Sequence, residues 1–195
     1  INFNKLLKLF RNYEINSYSF SQGGEDIILR NIFYHKLTNN IIGFYIDIGA
    51  YHPYKGSNTF LFYLHGWQGI NIDANKKAIA HFNKLRKRDI NINCAISDKE
   101  EELIYYYYGE TFSINTFSEE YANKFGSNYN VEKIKMKTCR LDTILDKYLI
   151  PNQNIDFLNI DVEGLDYNVL LSNNWEKYRP NVIIVELSET KYDDI

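Results

Sequence analysis

Four carboxylates follow short apolar runs: Asp47 in Phe44-Tyr45-Ile46-Asp47, Asp73 after Ile70-Asn71-Ile72, Asp161 after Phe157-Leu158-Asn159-Ile160, and Glu186 after Val182 to Val185. Runs this short, rich in β-branched and aromatic residues and bounded by glycine or proline, read as buried strands rather than helices. In an open parallel sheet, ligands bind just beyond the carboxyl ends of the strands. The four acids are therefore expected to line one ligand cleft. Gly49 and Ala50, just after Asp47, would let backbone approach a ligand closely, although a turn glycine at a strand end is the ordinary alternative. Asp73 lies 26 residues after Asp47, near the spacing at which nucleotide sites place a carboxylate on a ribose; a helix-start acid is its other use. Asp161, Glu163 and His52 could each take a proton from a weakly acidic hydroxyl. The two acids would serve equally as helix-start charges near Gly164, and His52 as a packed side chain beside Pro53. With Glu186, these three could form a hard, oxygen-rich site for Mg²⁺. Ser97 and Asp98, which end a third run, and Gln22, in a polar turn with two glycines, complete the ligand candidates.

These residues need a scaffold, and the apolar spacing supplies one. Strands are expected over 44–50, 68–73, 90–97, 155–161 and 182–187, with helices over 26–34, 57–64, 75–88, 141–149 and 164–171 between them. That rhythm predicts an α/β fold, a mostly parallel sheet with helices on both faces and right-handed crossovers. A helix over 3–13 would lie on this domain, and the whole segment 1–40 would cap the cleft of the unit formed by 41–195. Strands over 103–108 and 134–138 flank a polar, aromatic insertion at 109–130, a loop suited to a polar acceptor such as a sugar. In Tyr105 to Tyr108, two rings are expected to pack and two to face solvent. The basic run Lys84 to Arg88 reads as the solvated end of a helix. His35, His65 and His81 are expected to be structural or exposed, and Trp67 and Trp175 to anchor packing.

Composition excludes several classes. The chain has 195 residues, 45% of them hydrophobic, and a net charge of −3, which suits a single globular domain and argues against a general nucleic-acid binder. Two cysteines, Cys94 and Cys139, supply neither a zinc cluster nor a disulfide framework and point to a reducing, cytoplasmic setting. No apolar run reaches the roughly 18 residues that a membrane span needs. The opening Ile1 and the ending Asp193-Asp194-Ile195 suggest trimming at both ends, and the load of Asn, Ile, Lys and Tyr suggests an AT-rich genome.

The ordered set Ser21-Gln22-x-x-Glu25-Asp26, Asp47-Ile48-Gly49-Ala50, Gly66-Trp67-x-Gly69-Ile70 leading to Asp73, Leu141-Asp142-Thr143-Ile144-Leu145, Asp161-Val162-Glu163-Gly164, and Arg179-Pro180 before Glu186 resembles the FkbM-type family of S-adenosylmethionine-dependent methyltransferases. The resemblance implies a class I, Rossmann-like fold. It also implies a first-strand loop that holds the methionine part of the cofactor, a ribose on Asp73, and Gln22 closing over the cleft. Methylation of a sugar or related polar hydroxyl would follow. Two departures stand out: Tyr51 and Pro53 replace the Asn and second glycine of many members, and Asp166 replaces a Glu. The family's C-terminal antiparallel strand pair is expected to be missing, leaving a sheet edge open to homodimerisation. Two other readings remain, a nicotinamide-dependent oxidoreductase, which lacks its Gly-x-Gly-x-x-Gly run here, and a non-catalytic binding module.

Overall fold

The computed structural model describes residues 18–110, 112–126 and 128–186. The helix expected over 3–13 and the end of the strand expected over 182–187 fall outside them. In chain order the elements are α1 (Glu25–Ile32), α2 (Tyr34–Thr38), β1 (Phe44–Ile48), α3 (Phe60–Leu64), β2 (Gln68–Asp73), α4 (Lys76–Leu85), β3 (Ile90–Asn93) and β4 (Ala95–Ile96). They continue with β5 (Glu102–Tyr107), α5 (Glu119–Phe125), β6 (Glu132–Cys139), α6 (Leu141–Tyr148), β7 (Phe157–Ile160), α7 (Asp166–Leu171) and β8 (Val182–Val185).

Every residue of β1 and β7 is buried, as central strands of a sheet covered on both faces must be. The five-stranded sheet has the order β3-β2-β1-β7-β8, and each neighbouring pair runs parallel. This is the Rossmann-like architecture. The chain builds outward from β1 to β3, then returns to the other side of β1 with β7. Ile46 pairs with Ile70 on one side and Leu158 on the other.

Alternation along β1 divides the core between two faces. Phe44, Ile46 and Ile48 join Ile70, Ile72, Leu158 and Ile160 under Leu141, Ile144 and Leu145 of α6 and Val169 of α7. Tyr45 faces the other way, against Phe157, Trp67, Leu29 of α1, Phe33, Leu37 of α2 and Phe62 of α3. Trp67 is fully enclosed, with the rings of Phe33, Phe62 and Phe157 at centroid distances of 5.5, 4.9 and 6.2 Å. Among the described residues, no helix is long and apolar enough to cross a membrane.

Four local expectations change. The run over 90–97 is not one strand: β3 stays in the main sheet, while β4 leaves it after Cys94 and pairs with β6 in a second sheet ordered β4-β6-β5. The helix expected over 57–64 begins only at Phe60, because the side chains of Asn58 and Thr59 are engaged with Asn159 and Asp47. Arg86, within the run expected to be solvated, is fully buried. Tyr105 and Tyr106 are both buried, on opposite faces of β5, because 109–130 folds over that strand; it includes α5, and Thr116 exchanges both backbone hydrogen bonds with Tyr106.

Trp67→Ala removes the centre of the aromatic face. It should lower unfolding stability by about 3–5 kcal/mol, read as a fall in the urea midpoint; an unchanged midpoint would contradict this packing.

Candidate active site

The cleft opens where the sheet order reverses, above the carboxyl ends of β1 and β7. Its free space, open mouth included, is about 910 Å³. Gly49 has φ 78°, and a methyl group there would collide with the Asp161 carbonyl. The two strand ends therefore meet at a position that excludes a side chain. Asp47 is 2% exposed. Its carboxylate accepts from Thr59 Oγ1 at 2.8 Å and from Asn159 Nδ2 at 2.9 Å. Burial pushes this carboxyl up, and the two donors pull it back. Asn58 Nδ2 donates to Asn159 Oδ1 at 2.9 Å, so the loop after β1 is tied to β7 by an amide pair.

Asp73 orders the same loop from β2. Its oxygens accept from the backbone N–H of Tyr51 at 2.7 Å and of Asn75 at 2.6 Å, which lets Tyr51 keep φ 53°. Burial raises its carboxyl to about 6, against those two N–H groups. Each oxygen keeps a lone pair for a ligand hydroxyl. The N-terminal strap is organised by Asp26, which is fully buried. It accepts from Ser19 Oγ at 2.7 Å, Phe20 N at 2.7 Å and Ser21 Oγ at 2.8 Å. That knot turns the chain so that Gln22 lines the cleft, and Ser57 N donates to Phe20 O at 2.8 Å to hold the strap down.

On the β7 side, carboxylate oxygens of Asp161, Glu163 and Glu186 all lie within 4.8 Å of one another. Desolvation, then hydrogen bonding to Glu186, holds the Asp161 carboxyl well above its usual range. Desolvation pushes Glu163 up to about 7, opposed by a hydrogen bond from Tyr121. Glu163 sits at φ 56°, a strained conformation for a side-chain-bearing residue. The insertion holds it there: Thr116 Oγ1 donates to the Glu163 carbonyl, and Asp166 accepts from the flanking N–H groups of Val162 at 2.9 Å and Gly164 at 3.0 Å. Tyr105 and Phe117, with ring centroids 4.7 Å apart, form an aromatic wall. The cleft's described lining includes Asp47, Asp73, Asp161 and Glu163 and no Lys, Arg or His.

A family model described as the methyltransferase FkbM domain matches residues 47–195. This chain belongs to that family. Comparison with curated proteins and with solved structures returns no match.

In this FkbM-family chain the cleft brings together Gln22, Asp47, Gly49, Ala50, Asp73, Asp161 and Glu163. It does not bring in His52, Ser97 or Asp98. His52 Nδ1 accepts from the N–H groups of Tyr54 at 3.3 Å and Lys55 at 3.1 Å, and desolvation, Lys55 and His81 all lower its pKa. Ser97 is buried and its hydroxyl donates to Asp98 at 3.1 Å. Asp98 accepts from Asn168 at 2.8 Å, which ties it to α7. The sequence reading passed over Asn58, Asn159 and Tyr121. Asn159 alone left a signal, as an amide inside an otherwise apolar strand, which needs a buried partner.

The sign of the pH effect at Glu163 follows from its direction of shift. Its folded-state carboxyl is raised from 4.5 to about 7, so the stability it lends is complete below the unfolded value and lost as pH rises through about 7. Glu163→Gln keeps the neutral form. In the ligand-free protein it should raise the thermal midpoint by a few degrees near about pH 8.5 and leave it unchanged near about pH 3.5; equal midpoints at the higher pH would mean that the carboxylate is not strained there.

Proposed function

We propose that this chain transfers a methyl group from S-adenosylmethionine to a hydroxyl oxygen of a sugar or related polar metabolite. The observation that carries the reading is the charge of the cleft: four acids and no cation among its described lining residues, in a chain of a methyltransferase family. S-adenosylmethionine presents a sulfonium and an ammonium, which such a lining favours. A dinucleotide would bring a pyrophosphate to a cleft without a cation, and the glycine-rich loop that could replace one is absent. That argues against the oxidoreductase reading.

In this reading Asp73 takes the ribose hydroxyls on its free lone pairs, and Ala74, Cys94, Ala95 and Ile96 give the base an apolar slot. Asp47, Gly49 and Ala50 face the methionine part, and Gln22 closes over it. When bound, the cofactor supplies an electrophilic methyl group. The protein has to align an acceptor oxygen with it and remove a proton. Glu163 is the general base, because its carboxyl near neutrality loses and gains a proton in the working range. Asp161, its carboxyl held above the usual range by burial and by Glu186, holds the acceptor hydroxyl in place. Ser113 and Asn115 offer polar contacts and Tyr105 and Phe117 an apolar face, the pair of surfaces that a sugar ring presents in reverse. Segment 1–40 then acts as the cap and 41–195 as the catalytic unit.

Calorimetry tests the cofactor. S-adenosylmethionine and S-adenosylhomocysteine should bind in the micromolar range, NAD should not, and Asp73→Ala should abolish binding; tighter binding of NAD would sink the proposal. With an acceptor in hand, Glu163→Gln should lower kcat about 10²- to 10⁴-fold while S-adenosylhomocysteine affinity stays within about threefold. Undiminished turnover would remove Glu163 from the chemistry.

A further inference from the structure

Arg86 lies outside the cleft lining, yet it is joined to it by a short chain of hydrogen bonds. Its guanidinium is enclosed by the rings of Tyr45, Phe60, Tyr63 and Phe82, with Tyr63 closest at 4.5 Å. Nε donates to Asp89 at 2.9 Å, and one terminal nitrogen donates to Tyr45 Oη at 2.8 Å. These bonds anchor the group to β1 and to the turn before β3. Its remaining bonds go to the loop after β1: to the Pro53 carbonyl at 2.8 Å and to Thr59 Oγ1 at 3.0 Å. The Thr59 hydroxyl has one proton, and it is given to Asp47 at 2.8 Å. Arg86 and Asp47 thus meet through one oxygen that accepts from the first and donates to the second.

A buried ion pair of this kind is poor evidence for stability, because desolvation offsets much of its attraction. What it supplies is direction. An aliphatic side chain could fill the space among the four rings, but it could not hold the Pro53 carbonyl and the Thr59 hydroxyl at once. Between those two anchors lie Gly56, Ser57 and Asn58, and just before the first lies Tyr51, all of which line the cleft.

We propose that Arg86 is a positioning residue for the cofactor loop, acting through the Pro53 carbonyl and through a Thr59 relay that fixes the Asp47 carboxylate. The proposal rests on the cleft being the S-adenosylmethionine site. Arg86 itself touches neither cofactor nor acceptor. It sets where the loop lies and keeps the Thr59 hydroxyl on Asp47 Oδ2, opposite the Asn159 amide on Oδ1.

The test uses Thr59→Val, which deletes the relay while nearly keeping the side chain's shape, Thr59→Ser, which restores the hydroxyl, and Arg86→Lys, which keeps the charge but cannot span the anchors. Two readouts are taken on folded protein well below the thermal midpoint. The first is S-adenosylhomocysteine affinity by calorimetry. The second, without ligand, is the Asp47 carboxyl titration followed by carbon-13 chemical shift; Arg86, Asp89 and Asp73 are the charged groups around Asp47. Thr59→Val should weaken binding about tenfold, the scale of a lost buried donor, and move the Asp47 titration upward. Thr59→Ser should match the wild type in both. Arg86→Lys should weaken binding as Thr59→Val does, and it serves as the deciding variant if Thr59→Val fails to fold. Wild-type affinity in a folded Thr59→Val or Arg86→Lys protein overturns the proposal. If the wild type binds no S-adenosylhomocysteine, the cofactor reading fails, and the Asp47 titration decides the relay alone: an upward shift supports it and an unmoved one overturns it.

Discussion

The approach of the β1 and β7 ends is the constraint on which the cleft depends. Asp161 N donates to Ile48 O at 3.0 Å, and Gly49 leaves no room for even one carbon against the Asp161 carbonyl. Parallel strands of a doubly wound sheet diverge at the point where the order reverses, and that divergence makes the crevice. Here the crevice is kept narrow at its floor by the missing side chain. Its two walls then carry different chemistry. On the β2 side, acids are satisfied by backbone N–H groups; on the β7 side, they face one another.

That difference decides what each wall can do. Asp73 accepts from two N–H groups in a turn that they define together, so its carboxylate orders the loop at Tyr51 before it meets a ligand. Asp161, Glu163 and Glu186 have no cation among the described lining residues to offset their crowding. Burial first, and then the neighbouring acids, shift both Asp161 and Glu163 upward. The strained backbone at Glu163 belongs to the same arrangement. A residue at positive φ relaxes unless its surroundings hold it, and Thr116 from the distant insertion and Asp166 from the start of α7 hold it from two sides. The insertion is therefore a structural partner of the acid as well as part of the cleft wall.

The strands and the acids at their ends were legible because burial on both faces demands unbroken apolar runs, and such runs are visible without tertiary information. Gln68 to Asp73 could be bounded to the residue. What pattern could not supply was the direction of polar side chains. Asn58 and Thr59 look like a helix start, and only the presence of Asn159 and Asp47 opposite them makes them loop anchors. Arg86 sits in a run of five residues, four of them basic, and nothing local distinguishes it from its exposed neighbours Lys87 and Arg88. Its burial depends on Asp89 and on four rings, that of Tyr45 among them, converging from β1, α3 and α4. The break at Cys94 is similar: the run carries no glycine or proline to mark it, but β6 pairs with Ala95 and Ile96 and takes them out of the main sheet. His52 has the chemistry and the loop position of a base, but it lies off the lining, and the N–H groups of Tyr54 and Lys55 turn onto its ring.

The buried polar residues form a second framework inside the apolar one. From Asp89 it runs through Arg86, Thr59, Asp47 and Asn159 to Asn58, crossing from the turn before β3 to β7 beneath the loop after β1. An apolar core of the same volume would avoid the desolvation of these groups, but apolar contacts are non-directional and would allow the loop several seatings of similar energy. Hydrogen bonds accept few geometries. A loop that contains a proline and a strained tyrosine, and that closes one wall of a ligand cleft, gains a single seating from such a framework. The fold spends burial energy on its two aromatic and aliphatic layers and places these directional contacts under a loop that lines the cleft.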